Sequence, residues 1–476
     1  MKTDTIAAIA TGMTNSGIGI VRVSGEDAIF IVNKIYCSKN GNKKLSDVKS
    51  HTIHYGFIYD GDELIDEVMV SVMKAPNSFT AEDTVEINCH GGILVMNKIL
   101  ETVIKYGART AEAGEFTKRA FLNGRIDLAR AEAVMDIIHS KSEFALKSSV
   151  NQLKGSVSNE IKNIREKIIY EIAFIESALD DPEHISLEGY PEELSEKTEQ
   201  LLKQIDKLLQ SSENGKILKE GIQTVILGKP NAGKSSLLNL LVGEEKAIVT
   251  NIAGTTRDIL EESISLHGIV LNMIDTAGIR STDDLVEKIG VERAVAYASN
   301  ADLILYVVDS SVPLDESDEQ IISLIKEKNA IIMLNKTDLD CVVTEELLLE
   351  KLKRSMAYEN PVENELAETN QVKIIKTSTK DHTGIDLFEN TVKEMFLKGD
   401  ISFNDEVFIT NMRHKEAIMD AKNSLLLVKK SLEDHMPEDF YSIDLMSAYA
   451  SLGTIIGEEV SDDLVNEIFS KFCMGK

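Results

Sequence analysis

Basic charge, ordered cysteine spacings and long apolar runs are what this 476-residue sequence lacks. Against 79 Asp and Glu there are 51 Lys and Arg, a formal net charge of −28. Such a balance disfavours nonspecific adhesion to nucleic acid or to an anionic membrane, so any RNA contact must be local or shared with a partner. The four cysteines, Cys37, Cys89, Cys341 and Cys473, are scattered, with no CxxC and no zinc spacing. That excludes a disulfide scaffold and reads as reduced thiols in a cytoplasmic protein. No window approaches membrane-spanning length, and the first residues carry Asp4 and no long apolar core, so neither a membrane span nor a signal peptide is expected. What remains is a globular chain of ordinary apolar content, 43%, long enough for two to four domains.

Within it, Gly228-Lys229-Pro230-Asn231-Ala232-Gly233-Lys234-Ser235 fits G-x-x-x-x-G-K-[ST]. Val225-Ile226-Leu227 precedes it as a strand, and Ser236-Leu237-Leu238-Asn239-Leu240-Leu241 follows as a helix start. Strand, tight glycine turn and helix N-terminus together aim backbone N–H groups at phosphates. Lys234 is placed to reach the β- and γ-phosphates, and the Ser235 hydroxyl to ligate Mg²⁺. The chain is therefore expected to bind a nucleoside triphosphate.

The base is specified further on. Asn335-Lys336-Thr337-Asp338 follows Ile331-Ile332-Met333-Leu334, at the C-terminal end of an expected strand. A carboxylate such as Asp338 accepts from the ring N–H and exocyclic amine of guanine, whereas adenine offers an acceptor at the first of these. Asp275-Thr276-Ala277-Gly278 lies between the two motifs, behind Val270-Leu271-Asn272-Met273-Ile274. Its aspartate suits the outer shell of Mg²⁺ and its Gly278 amide the γ-phosphate. Ser378-Thr379-Lys380, behind Val372-Lys373-Ile374-Ile375, suits either a cover over the base or an ordinary polar loop. Three motifs in this order make guanine the expected base.

Three textures run along the chain. Residues 1–118 alternate short β-like runs with turn signals: 18–23, 52–58, 67–72 and 84–88, with helical stretches near 27–36 and 93–106. That pattern predicts an α+β domain. From about 119 the texture is helical. Val150, Leu153, Val157, Ile161, Ile164, Ile168, Ile172, Ile175 and Leu179 step by threes and fours, which predicts one face of a single long helix ended by Asp181-Pro182. A second helix runs through Leu201, Leu202, Ile205, Leu208 and Leu209, and helical texture returns over 405–473. An α/β segment between two helical flanks fits insertion into one helical domain, or two separate helical domains.

Residues 247–258 have the polar, glycine-hinged character of a switch loop, whose threonine would complete the Mg²⁺ shell. Ile279 stands where small GTPases place a water-orienting glutamine, so the base must come from elsewhere and the developing charge needs a cation. Glu287, in the acidic stretch Asp283-Asp284-Leu285-Val286-Glu287, is the candidate carboxylate for that role, and it also reads as a solvated surface acid.

Several further runs carry a resemblance. They are Gly17-Ile18-Gly19-Ile20-Val21-Arg22-Val23-Ser24-Gly25, Lys74 to Asp83, Cys89-His90-Gly91-Gly92, Gly114 to Leu128 and Ala131-Glu132-Ala133. Gly254-Thr255-Thr256-Arg257-Asp258, Asp275 to Arg280 and the ending Phe472-Cys473-Met474-Gly475-Lys476 join them. With these runs the whole chain resembles the tRNA modification GTPases of the MnmE (TrmE) family.

The resemblance implies three domains. An N-terminal α+β domain (1–118), similar to tetrahydrofolate-binding domains, dimerises; a discontinuous helical domain spans 119–217 and 395–476; a Ras-like P-loop GTPase domain occupies 218–394. It implies a cytoplasmic homodimer without membrane contact, assembling with the flavoprotein GidA (MnmG), which brings FAD, into a heterotetramer. Together they modify C5 of the wobble uridine of certain tRNAs with a one-carbon unit from 5,10-methylene-tetrahydrofolate, for which 5-formyl-tetrahydrofolate is an analogue.

Carried over by motif, the GTP positions are Asn231, Ala232, Gly233, Lys234, Ser235 and Ser236; Thr250, Asn251, Ile252, Ala253, Gly254, Thr255 and Thr256; Asp275, Thr276, Ala277 and Gly278; Asn335, Lys336, Thr337 and Asp338; and Ser378, Thr379 and Lys380. Mg²⁺ falls to Ser235 and Thr256, and K⁺ to Asn231, Thr250, Ile252 and Thr255. Folate falls to Arg22, Glu82, Arg125 and Lys476. Glu287 matches the family's water-activating glutamate. Cys473 matches a proposed catalytic thiol, and a structural cysteine stays open there. Arg125 stands where many members have lysine, and Thr14-Asn15-Ser16-Gly17 where they have Gly-Arg-Gly-Gly. The rival class is a ribosome-assembly or regulatory GTPase switch without RNA-modifying chemistry, but the Era-like version needs a basic module where this chain has acidic helices.

Overall fold

Alternating burial builds the first sheet. In the computed structural model, β1 (Ile6–Ile9), β2 (Ser16–Ser24), β3 (Tyr36–Ser38), β4 (Thr52–Asp60), β5 (Glu63–Met73), β6 (Thr84–Gly91) and β7 (Arg109–Thr110) pair in the order β3-β4-β5-β6-β2-β1-β7. All neighbours are antiparallel except β1 and β7. Helices Ala28–Ile35 and Ile93–Lys105 cover one face, where Val21, Val23, Val70, Val85 and Ile87 meet Val32, Met96 and Ile99. Tyr55 and Met69 stay exposed, the division expected of an antiparallel sheet with one packed face. The structure describes residues 4–41, 43–243, 247–248, 262–266, 268–274, 298, 301–325, 328–357, 372–396, 407–458, 460–472 and 475.

The second sheet is built from continuous apolar runs. It contains β8 (Ile222–Leu227), β9 (Ala247–Ile248), β10 (Glu262–Leu266), β11 (Ile269–Met273), β12 (Leu303–Asp309), β13 (Ala330–Asn335) and β14 (Val372–Lys376). Their order is β14-β13-β12-β8-β11-β10-β9, parallel from β14 to β11 and antiparallel at the β11–β10–β9 edge. Every residue of β13 is buried, as a strand covered on both faces requires. The C-terminal ends of β8 and β13 carry the two motif loops.

One helical expectation needs correction. The stripe from Val150 to Leu179 is divided between helices Glu143–Lys154 and Ser156–Asp180. Gly155 separates them with φ +102°, and a Cβ there would lie 2.1 Å from the Arg130 guanidinium. The apolar period ran through the break because each half keeps its buried face; the glycine was the overlooked signal. The helix does stop at Asp180, ahead of Pro182.

Helices from both flanks of the second sheet pack together. Ile161, Ile164, Ile168 and Ile175 of Ser156–Asp180 are buried, as are Leu445, Ala448 and Leu452 of Glu438–Ile456. Arg165 joins the pair, 3.9 Å from the ring centre of Tyr449 and 2.5 Å from Glu458. Helix Asp462–Ser470 and Phe472 complete a core with Leu128 and Ala131. By internal packing the chain divides into two units, Met1–Met135 with Gln152–Leu201 and Asp420–Lys476, and Asp136–Asn151 with Leu202–Met419.

Candidate active site

Backbone geometry shapes the loop after β8. Gly228 (φ +146°) and Gly233 (φ +102°) adopt conformations that L side chains resist, and Asn231 (φ +62°) is a residue type that tolerates them. Space demands the glycines too: a Cβ at 228 would lie 2.3 Å from the Val307 carbonyl, and one at 233 would lie 2.2 Å from Asn335 Nδ2. Helix Lys234–Gly243 begins directly after the turn, so the N-terminal end of its dipole faces the loop. Lys234 Nζ lies across the loop, donating to the carbonyls of Gly228 (2.7 Å) and Lys229 (2.6 Å). The result is a concave row of donors under one ammonium, the arrangement that holds a polyphosphate.

A second loop is fastened to the first. Asn335, buried at the end of β13, donates through Nδ2 to the Ala232 carbonyl (2.9 Å) and accepts from the Thr379 amide (3.2 Å). One side chain therefore links the phosphate loop to Ser378-Thr379-Lys380. Asp338 accepts from Ser378 Oγ at 2.9 Å, with Lys380 Nζ 3.8 Å away. Lys336 (φ +62°) reaches Asp309 at the end of β12, 2.5 Å away. Burial pushes the Asp309 carboxyl up, but hydrogen bonds from Lys336 and Ser311 outweigh it and hold it below the usual range. Residues 231–236, 335–338 and 378–380 are thus brought into one site.

Thr250, Asn251, Ile252, Ala253, Gly254, Thr255, Thr256, Asp275, Thr276, Ala277, Gly278 and Glu287 lie outside the described residues, as do Cys473 and Lys476. A residue that motif reading passed over is Lys229, an unspecified position. Its ammonium sits 2.7 Å from the buried Asp318 and 3.1 Å from Asp315, and Asp318 also accepts from Tyr306 Oη at 2.7 Å. That pairing anchors the flank of the phosphate loop.

A separate polar cluster forms on the first sheet. Arg22 of β2 pairs with Glu86 of β6 (2.8 Å) and donates to the Gly475 carbonyl (3.2 Å), so Gly475 reaches this sheet. Two cations approach the Phe79 ring: Arg125 is 5.0 Å and Arg22 5.7 Å from its centre. Glu82 follows Ala81, itself at φ +62°, and accepts from Ser24 Oγ (2.9 Å) and from Arg119 at both oxygens (3.2 Å each).

Arg119 also pairs with Glu115 (3.0 Å) and Asp4 (3.1 Å), and Arg109 binds the same two acids. Burial raises the Glu115 carboxyl, yet Arg109, the Glu112 amide and Arg119 together hold it below its ordinary value. Arg22, Glu82 and Arg125 were expected here, whereas Asp4, Phe79, Glu86 and Arg119 were not singled out. Arg119 lies in the run Phe116-Thr117-Lys118-Arg119, but no local pattern marks it as the partner of Glu82.

Residues 5–125 match the family described as GTP-binding protein TrmE N-terminus, and residues 128–473 match the MnmE helical domain. The chain belongs to the MnmE family. The curated tRNA modification GTPase MnmE of Lachnoclostridium phytofermentans is 58% identical over 476 residues, the whole of both chains. That of Thermoanaerobacter pseudethanolicus is 47% identical over all of both chains, and that of Clostridioides difficile 46% identical over 99% of each. With the P-loop and NKxD geometry in place, this chain is a GTP hydrolase. Among the described residues no helix is long and apolar enough to cross a membrane.

Proposed function

We propose that the chain is a K⁺-activated GTPase of tRNA maturation. With the flavoprotein GidA (MnmG), which carries FAD, it installs an aminomethyl or carboxymethylaminomethyl group at C5 of the wobble uridine of certain tRNAs. The one-carbon unit comes from 5,10-methylene-tetrahydrofolate. In this reading the segment 1–118 dimerises and binds folate, 119–217 with 395–476 forms the helical domain, and 218–394 is the G domain. The protein acts as a cytoplasmic homodimer within a heterotetramer.

The observation that carries the reading is the meeting of the chain end with the first sheet. Arg22 and Gly475, 453 positions apart, share a hydrogen bond beside Phe79, Arg125 and Glu82. The donor set fits a folate. Cations answer glutamate-tail carboxylates, an aromatic ring offers a stacking face, and Glu82, oriented by Ser24 and Arg119, can accept from pterin N–H groups. Lys476 would join the cations, and the same tail would carry Cys473 toward the one-carbon unit. When bound, the folate supplies the carbon; the chain's own residues orient it.

In the G domain, Lys234 and the first-turn amides hold the β- and γ-phosphates, and Asp338 selects guanine. Ser235 and Thr256 would hold Mg²⁺, while Asn231, Thr250, Ile252 and Thr255 would hold K⁺. Glu287 activates or orients water. Hydroxyl, amide and carbonyl oxygens are suitable ligands for both hard cations.

The test is nucleoside mass spectrometry of tRNA from cells whose only copy carries Glu82→Ala. The modified wobble uridine should vanish, while the purified variant still hydrolyses GTP and no longer binds 5-formyl-tetrahydrofolate. Normal tRNA modification in that strain would mean that the folate site is misplaced and that segment 1–118 only dimerises.

A further inference from the structure

Asn272 is out of place by composition. Its strand, β11, is otherwise Ile269, Val270, Leu271 and Met273, all buried. Asparagine is a poor strand former, and burying its amide without partners is costly. Here both ends of the amide are used. Oδ1 accepts from Ser263 Oγ on β10 at 3.0 Å, and Nδ2 donates to the Glu220 carbonyl at 2.7 Å.

Glu220 is the last residue of the 31-residue helix Tyr190–Glu220, where carbonyls have no intrahelical donor. Gly221 follows at φ +77°, and a Cβ there would lie 2.7 Å from the Val270 carbonyl and 2.9 Å from Asn272 Nδ2. The glycine thus ends the helix and lets that end touch β11. A second grip holds the same hairpin. Gly268, in the β10–β11 turn at φ +93°, leaves room for Phe144, whose ring would lie 2.0 Å from a Cβ. Phe144 belongs to helix Glu143–Lys154.

This hairpin occupies a particular place in the chain. Before it comes the switch-loop sequence ending at Asp258, and after it Asp275-Thr276-Ala277-Gly278. Asn272 precedes Asp275 by three positions in the sequence. We propose that Asn272 is a positioning residue for GTP hydrolysis: its amide ties β11, the strand whose sequence leads into Asp275-Thr276-Ala277-Gly278, to the end of the long helix. Displacement of the helix end then reaches the hydrolytic motif through one hydrogen bond, without touching the nucleotide.

The decisive variant is Asn272→Asp in the full-length protein. It keeps shape and volume, but the ionised carboxylate cannot donate to the Glu220 carbonyl, whereas the protonated acid can. Burial raises such a carboxyl. Steady-state GTP hydrolysis from pH 6 to 9, normalised to wild type at each pH, removes the contributions of the groups bordering the same cleft, Asp136, His139, Lys141, Lys219 and Glu220.

The expected result is kcat about 10- to 100-fold below wild type at high pH, recovering toward wild type as the pH falls, with GTP affinity within about threefold throughout. Ser263→Ala, which cuts only the other end of the amide, should keep kcat within about threefold. If Asn272→Asp hydrolyses GTP like wild type at every pH, or loses kcat with no pH-dependent recovery, the proposal is overturned. A parallel fall of kcat and affinity would also overturn it, because that marks general loosening. Should Asn272→Asp not fold, Asn272→Ala removes the same hydrogen bond, and an unchanged kcat there rejects the idea.

Discussion

The two seven-stranded sheets carry polar sites of opposite construction. On the mostly parallel sheet the site is made of backbone: positive-φ positions, helix-start amides and one lysine spanning the loop, with Asn335 as a buried tie. On the antiparallel sheet it is made of charge: Asp4, Glu82 and Glu115 interleaved with Arg109 and Arg119, and Arg22 beside Glu86. A phosphate chain varies little, so a rigid backbone cradle suits it. A ligand with several kinds of polar group needs side chains of both signs, and these must be held in place by one another. The first kind of site is sensitive to an added methyl group, the second to protonation.

Gly233→Ala should do the most damage to the first. The new Cβ would meet Asn335 Nδ2 at 2.2 Å and force alanine into φ +102°. Strain of about 1–3 kcal/mol alone predicts roughly 5- to 150-fold weaker GTP binding, measured with a fluorescent guanine nucleotide. The N-terminal cluster should still bind 5-formyl-tetrahydrofolate. Unchanged GTP affinity would refute the backbone-built description.

Cation dependence comes next. With Ile279 unable to orient water, hydrolysis in K⁺ should exceed that in Na⁺ at equal ionic strength by roughly tenfold or more. Asn231→Ala should erase the difference while nucleotide still binds. Equal rates in both salts for the wild type would remove the monovalent cation from the scheme.

The smallest effect belongs to the charged cluster. The Glu115 carboxyl titrates below its ordinary value of 4.5 in the folded protein, so its contribution to stability is complete above that value and is lost as the pH falls through the lowered pKa. Glu115→Gln should cost about 1–3 kcal/mol near neutrality and leave a shallower loss of melting temperature between pH 5 and 3, read by calorimetry. Identical acid slopes for the two proteins would show that the network does not hold this region together.

Much was legible beforehand, and unevenly. The strand–loop–helix at Leu227–Lys234 and the loop after β13 could be read locally because each motif is a few consecutive residues behind an apolar run. The strands β2, β4, β5 and β6 followed from alternation, whereas the short β1, β3 and β7 carry too few residues for a period. Gly155 was hidden inside a continuous apolar stripe. Arg119 went unmarked because its role depends on Asp4, Glu82 and Glu115, which are brought to it by different strands and turns.

By itself, then, the sequence determined the nucleotide and its cradle, since positive-φ glycines, a helix start and a lysine at fixed spacing act over a few ångströms of contiguous chain. Tertiary structure alone decided that Gly475 meets Arg22, that Asn335 joins the two nucleotide loops and that Asn272 caps the long helix. Each of these is a hydrogen bond between residues dozens to hundreds of positions apart. Its partners are set by sheet order and helix packing, which no local pattern encodes.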